Sequence, residues 1–192
     1  MNVLIVAATN LEITSDEIKK ESILITGVGM INSAISLTKE LIRKRYDLVI
    51  NIGIAGSFAE ELKRGDVVEV IEDCFSEVGF EDGEFFSEFS DFELKTKYKV
   101  DPVTSLKKVR AITVNSVHGN ANNISRIIAR LNPDIESMEG AAIFKVCEEF
   151  KVRCMQIRSI SNKVEPRDIN NWRMDLAIKN LNVEIEKILA VL

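Results

Sequence analysis

Six short runs rich in valine, isoleucine and leucine, separated by stretches of helical periodicity, constrain this chain more than any other feature. They lie at 3–8, 22–26, 48–53, 67–74, 109–114 and 152–157. Most are nearly continuous in apolar residues and lack the alternation of a strand with one wet face. They therefore predict strands covered on both sides. The intervals between them repeat apolar residues every three or four positions. Ile31, Ala34, Ile35, Leu41 and Ile42 form one such face, and Ile124, Ile127, Ile128 and Leu131 a second. Met174, Ile178, Leu181, Ile185, Ile188 and Leu192 form a third, in the last helix. Alternating strands and helices predict an α/β sandwich with a mostly parallel sheet. The 192 residues show no internal repeat and no Pro/Ser/Gly-rich linker, so a single domain over 1–192 is expected.

Composition removes several function classes. A net charge of −5 gives no bulk electrostatic reason to bind nucleic acid or an anionic membrane. The lone histidine, His118, excludes a multi-histidine metal site. Cys74, Cys147 and Cys154 are odd in number and lack C-x-x-C spacing, which points to reduced thiols in a cytoplasmic protein. Met1-Asn2-Val3-Leu4-Ile5-Val6-Ala7-Ala8 lacks a basic leader region and reads as a first strand rather than a signal peptide. No segment approaches the ~20 apolar residues of a membrane span. One stretch is anomalous. Within 76–92, Glu77, Glu81, Asp82, Glu84, Glu88 and Asp91 interleave with Phe80, Phe85, Phe86, Phe89 and Phe92. It reads either as an acidic surface loop with some of its phenylalanines tucked into the core, or as an aromatic wall lent to a neighbouring subunit's pocket.

Parallel strands place functional side chains at their C-terminal ends. Arg158 and Asn162 fall there in Cys154-Met155-Gln156-Ile157-Arg158-Ser159-Ile160-Ser161-Asn162. Met138-Glu139 lies where another strand gives way to a helix. A carboxylate beside a thioether suits a sugar with paired hydroxyls, since the carboxylate accepts both protons and the sulfur covers the apolar ring face. Glu12, just past the first strand, is placed as a general base, although position alone favours a solvated loop glutamate. Gly27-Val28-Gly29 opens a helix but lacks the third glycine of a dinucleotide fingerprint, Asn32 standing in its place, which speaks against a dehydrogenase. Asn51-Ile52-Gly53-Ile54-Ala55-Gly56-Ser57 is a second glycine-punctuated strand end. His118 follows a strand end, in reach of stacking or of solvent. Trp172, with Arg167 and Arg173 close by, either anchors the last helix or binds an aromatic carboxylate.

The ordered set of Met138-Glu139-Gly140 and Arg158-Ser-Ile-Ser-Asn162-Lys-Val-Glu165-Pro-Arg167, with Asn171-Trp172, resembles the purine nucleosidase and nucleoside phosphorylase family, and within it the branch that hydrolyses futalosine. The likeness spans nearly the whole chain. It implies a three-layer αβα sandwich with a partly mixed sheet, a homodimer, a small-molecule purine nucleoside as substrate, and no metal or organic cofactor. It also implies release of hypoxanthine from futalosine on the futalosine route to menaquinone. By resemblance, Glu12 activates water, Glu139 with Met138 binds the ribose, and Gly53, Ala55 and Gly56 lie beneath ribose and base. His118 then lies against the base, Trp172 reaches the 5′ group, and Arg158 and Asn162 join the catalytic set. Phosphorolytic relatives carry an arginine where Asn51 stands, which argues for water as the nucleophile. Relatives specific for adenine carry aspartate at Asn162. An asparagine there favours a 6-oxopurine, whose N7 and O6 both accept hydrogen bonds. Ile54 replaces a serine that holds the water in methylthioadenosine nucleosidases. Two alternatives remain open: a nucleosidase for another purine nucleoside, such as inosine or a 5′-substituted adenosine, and a nucleoside-binding module without turnover.

Overall fold

The computed structural model describes residues 1–192 except Glu84, Ser90, Asp91 and Arg167. Two acidic residues of the 76–92 stretch and the arginine expected near Trp172 thus lie outside the described residues. The first half of the chain forms β1 (Val3–Ala7), β2 (Ser22–Ile25), α1 (Met30–Arg43), β3 (Leu48–Ser57), β4 (Val67–Phe75), β5 (Phe80–Asp82) and β6 (Phe85–Ser87). The second half adds β7 (Lys97–Lys99), β8 (Lys107–Thr113), α2 (Ala121–Leu131), β9 (Ile135–Ser137), α3 (Gly140–Glu149), β10 (Arg153–Lys163) and α4 (Met174–Ala190).

Side-chain alternation along β1 defines three layers. Val3, Ile5 and Ala7 pack with Ile50, Ile52 and Ile157 against Leu181, Ile185 and Ile188 of α4. Leu4 and Val6 point the other way, onto Leu37 and Leu41 of α1 and Ile143 and Val146 of α3. Burial of one such side chain contributes about 1.5–3 kcal/mol, so these two apolar seams hold the helices to the sheet. The αβα sandwich with a mixed sheet is as expected.

β3 organises that sheet. Its first half pairs in parallel with β1, and its end pairs antiparallel with β9. Its other edge pairs in parallel with β10 from Arg153↔Leu48 to Lys163↔Ser57. β10 also pairs antiparallel with β4, β4 pairs with β8, and β8 with β9. β3, β10, β4, β8 and β9 therefore close on themselves, while β1 and β2 continue as an open edge. This closure corrects two expected boundaries. β3 runs to Ser57 rather than 53, and β10 to Lys163 rather than 157, because each still has a partner strand there. Arg158 and Asn162 consequently lie within β10 rather than beyond it.

The apolar face expected on α1 is mostly outside the core. Ser33, Leu37 and Leu41 are its buried residues, whereas Ile31 is 69% and Ile42 71% exposed. The phenylalanines of 76–92 are not tucked inside either. β5 and β6 form a separate hairpin, Phe85 is 77% exposed, and Phe80, Phe89 and Phe92 touch each other through ring edges near the surface. The three cysteines are free thiols. Among the described residues, no helix is long and apolar enough to cross a membrane.

Candidate active site

The site is centred on Gly53. A Cβ built there would collide with Arg158 Nη1 and lie 2.9 Å from Glu12 Oε1. The missing side chain is what leaves room for both groups over the strand. Glu12 ends a single 3₁₀ turn, Asn10–Glu12. Its Oε2 accepts the Thr9 N–H at 2.9 Å, which leaves Oε1 as the oxygen beside Gly53. Burial pushes the Glu12 pKa up and the nearby Glu139 adds to the rise, while the Thr9 N–H and Arg158 oppose it. Arg158 is only 1% exposed, and its Nε and Nη2 have no hydrogen-bond partner among the described residues. A buried cation with idle donors is costly unless something anionic or strongly polar joins it. Asn51 Nδ2 and Ser159 Oγ are also buried and without a partner among the described residues.

Glu139 precedes α3 and is buried. Its carboxylate does not cap that helix; it reaches across the sheet edge to accept the Gly29 N–H at 2.9 Å. The Gly27-Val28-Gly29 turn thus holds the carboxylate expected to bind ribose. Met138 is partly buried against the cluster of Cys74, Ile112, Val114 and Ile127. Beneath the pair over Gly53 lies a polar layer that the sequence did not announce. Asp73 is fully buried, accepting the Thr113 hydroxyl at 2.9 Å and the Gln156 amide at 3.0 Å. Burial raises its pKa to about 6 against the pull of Gln156, Thr113 and Arg158.

Gly56 marks the second centre. A Cβ there would lie 3.3 Å from Asn162 Nδ2 and 3.6 Å from Glu136 Cγ. Asn162 Oδ1 accepts the Ser161 hydroxyl at 2.7 Å, and Nδ2 donates to the Lys163 carbonyl at 2.8 Å. One amide hydrogen remains for a ligand. Glu136 accepts both the His118 N–H, at 3.0 Å, and the ring Nδ1–H, at 2.6 Å. Ala55 turns its methyl into the cluster with Val68 and Ile160, and its carbonyl accepts the Ser161 hydroxyl, so it offers backbone rather than side chain. Trp172 follows a 3₁₀ turn, and Arg173 N–H bonds the Ser161 carbonyl at 2.9 Å, which ties this segment beside Asn162.

The structure brings in one further residue that sequence reasoning missed. Asn182 sits on the buried face of α4 beside Leu181 and Ile185. Its Oδ1 accepts the Thr14 and Ser15 N–H groups at 2.9 and 3.0 Å, and its Nδ2 donates to the Glu12 carbonyl at 3.0 Å. A single amide fastens the Glu12 loop to the last helix. The available signal was a polar residue interrupting an apolar helical stripe.

The αβα sheet that carries these residues is matched by proteins that process nucleosides. A family model for the phosphorylase superfamily matches residues 9–192, and the chain belongs to that superfamily. The chain is 26% identical over 178 residues to futalosine hydrolase of Thermus thermophilus, covering 86% of this chain and 79% of the relative. It is 30% identical over 181 residues to 5′-methylthioadenosine/S-adenosylhomocysteine nucleosidase of Anoxybacillus flavithermus, covering 87% and 72%. Its fold superimposes on a mutant Helicobacter pylori methylthioadenosine nucleosidase holding 5′-methylthioadenosine in its active site. That match has a TM-score of 0.86 over 100% of this chain and 99% of the other, at 16% identity.

Proposed function

We propose that this chain is a purine nucleosidase that hydrolyses the N-glycosidic bond of futalosine, releasing hypoxanthine and dehypoxanthine futalosine. The observation that carries the reading is the convergence of Glu12 Oε1 and Arg158 Nη1 over the bare backbone of Gly53. A carboxylate with a raised pKa is a better base for water than an ordinary one. The idle donors of Arg158 orient that water as it approaches C1′. Glu139 exchanges the Gly29 N–H for the 2′ and 3′ hydroxyls and stabilises the oxocarbenium-like transition state. Asn51 leaves the site without the phosphate-binding arginine of phosphorolytic relatives, which favours water as nucleophile. The remaining amide hydrogen of Asn162 addresses the N7–O6 edge of the base. Trp172, beside Asn162, covers the 5′ group.

A cytoplasmic homodimer completes the reading. The exposed Ile31 and Ile35 of α1 adjoin a groove of about 540 Å³ lined by Met30, Ala34, Val146 and Phe150. An apolar face of that kind suits a second copy of the chain, and the exposed Phe80–Phe89–Phe92 group suits a wall lent to that copy's pocket.

The test is base release from futalosine, inosine and 5′-methylthioadenosine in phosphate-free buffer, then with phosphate added. Hypoxanthine should appear from futalosine without phosphate. Strict phosphate dependence, or faster release of adenine, overturns the assignment. Nucleoside binding without release from any of the three would leave a non-catalytic module.

A further inference from the structure

We infer that His118, held by Glu136, supplies the proton that the departing base requires; this rests on the hydrolase reading above. A 6-oxopurine leaves with the electron pair of the C1′–N9 bond and departs readily only if its ring takes a proton, at N7. Asn162 cannot deliver one, because an amide donates hydrogen bonds but is not an acid in water. One of its two amide hydrogens is moreover engaged by the Lys163 carbonyl at 2.8 Å. The other meets only one of the two acceptors, N7 and O6, on that edge of the base. A second donor, and a true acid, has to come from elsewhere in the site.

Glu136 links His118 to the Asn162 side of the site. Glu136 Cγ and Asn162 Nδ2 share the space over Gly56, at 3.6 and 3.3 Å from the Cβ position there. Glu136 is 3% exposed and grips His118 twice, at the backbone N–H and at Nδ1. An ionised carboxylate only accepts, so the proton of the 2.6 Å bond sits on Nδ1. Nε2 is then the working nitrogen. It has no hydrogen-bond partner among the described residues, and His118 lines a cleft of about 600 Å³ between the β5–β6 hairpin and α2.

In the reaction, the Nε2–H of the imidazolium passes its proton to N7 as the C1′–N9 bond breaks and its electron pair enters the purine. The water that bonds to C1′ loses its proton to Glu12. Exchange with solvent then returns the proton from Glu12 to His118, so no co-reactant is needed. Glu136 balances the imidazolium charge in a buried position. It reaches the base only through His118 and is a positioning residue.

The test compares futalosine, or inosine if it is the faster substrate, with its N7-methylated counterpart, whose base already carries the positive charge and needs no proton. For His118→Gln, kcat on the unmethylated nucleoside should fall about 100-fold or more, and on the methylated one by less than tenfold. Glu136→Gln should show the same selectivity to a smaller degree, and it serves as the reporter if His118→Gln does not fold. Added imidazole should restore turnover of the unmethylated nucleoside by His118→Gly. Equal losses on both nucleosides, or no loss on the unmethylated one, overturn the inference while leaving the hydrolase intact. Wild-type protein that releases base from neither nucleoside overturns the hydrolase reading, and this inference with it.

Discussion

Replacing Asn182 by leucine should uncouple Glu12 from the scaffold without touching the substrate. The amide makes three bonds to the loop, to Thr14 N, Ser15 N and the Glu12 carbonyl. The first two donors lie where water reaches them, so losing each bond costs about 0.5–1.5 kcal/mol. The Glu12 carbonyl is buried, and leaving it unpaired costs about 1–3 kcal/mol. Leucine fills the volume and recovers part of this through apolar burial. The net is about 3 kcal/mol, or about 6–12 °C in Tm for a chain of this length. The kinetic effect is more diagnostic. Glu12 Oε1 is aimed by its own backbone, and a displacement near 1 Å costs about 100-fold in rate. kcat for base release should therefore fall about 30- to 100-fold at 25 °C, well below the transition, with KM changed less than threefold. Asn182→Asp keeps the acceptor for Thr14 and Ser15 but loses the donor to the Glu12 carbonyl, so its kcat should lie between the two. Scanning calorimetry and steady-state kinetics on the same samples decide it. A lowered Tm with kcat within threefold of wild type would refute the claim that Asn182 aims Glu12.

Four further outcomes follow from the same site. Glu12→Gln should abolish turnover with nucleoside binding largely kept, whereas Glu139→Ala should weaken both; kinetics with direct binding by calorimetry separates them. Because Glu12 must be ionised to act and its pKa is raised, kcat of the wild type should drop on the acid side above pH 4.5, the ordinary value for this carboxylate. Asn162→Asp should shift the ratio of kcat/KM away from the hypoxanthine nucleoside and towards its 6-amino analogue by about tenfold to a hundredfold, from a mismatch of about 1–3 kcal/mol; an unmoved ratio removes Asn162 as the base reader. Asp73 has a folded pKa of about 6 against an ordinary 3.8, so the folded state binds its proton more tightly than the unfolded chain. Its contribution to stability is fully present below about pH 4 and lost as pH rises through 6, a difference of at most about 3 kcal/mol. Asp73→Asn should flatten that part of the stability–pH curve in denaturant titrations; a curve identical to wild type would show that Asp73 is not the buried titrating group.

The sandwich was legible because each level of the sequence agreed. Apolar runs covered on both faces and a three-to-four-residue period leave few layered solutions, and the runs at 3–8 and 48–53 became β1 and the start of β3 where expected. Glu12, Glu139, Arg158 and Asn162 were expected near strand ends, and became a set only through the resemblance to the nucleosidase family. Other features depend on contacts between residues far apart in the chain. Gly53 matters through Arg158, Glu136 through His118, Asn182 through a loop 168 positions earlier, and Asp73 through Thr113 and Gln156. A buried polar residue in an apolar stripe looks like an interruption until its partners arrive from other elements. The same limit misled part of the reading of α1: Leu41 turns to the sheet as expected, but Ile31, Ile35 and Ile42, which share its period, stay exposed, and Leu37 is buried instead. Periodicity specifies that a helix has an apolar side. Whether the chain's own sheet or a second molecule covers it depends on how the strands close around β3, and that is a property of the tertiary structure alone.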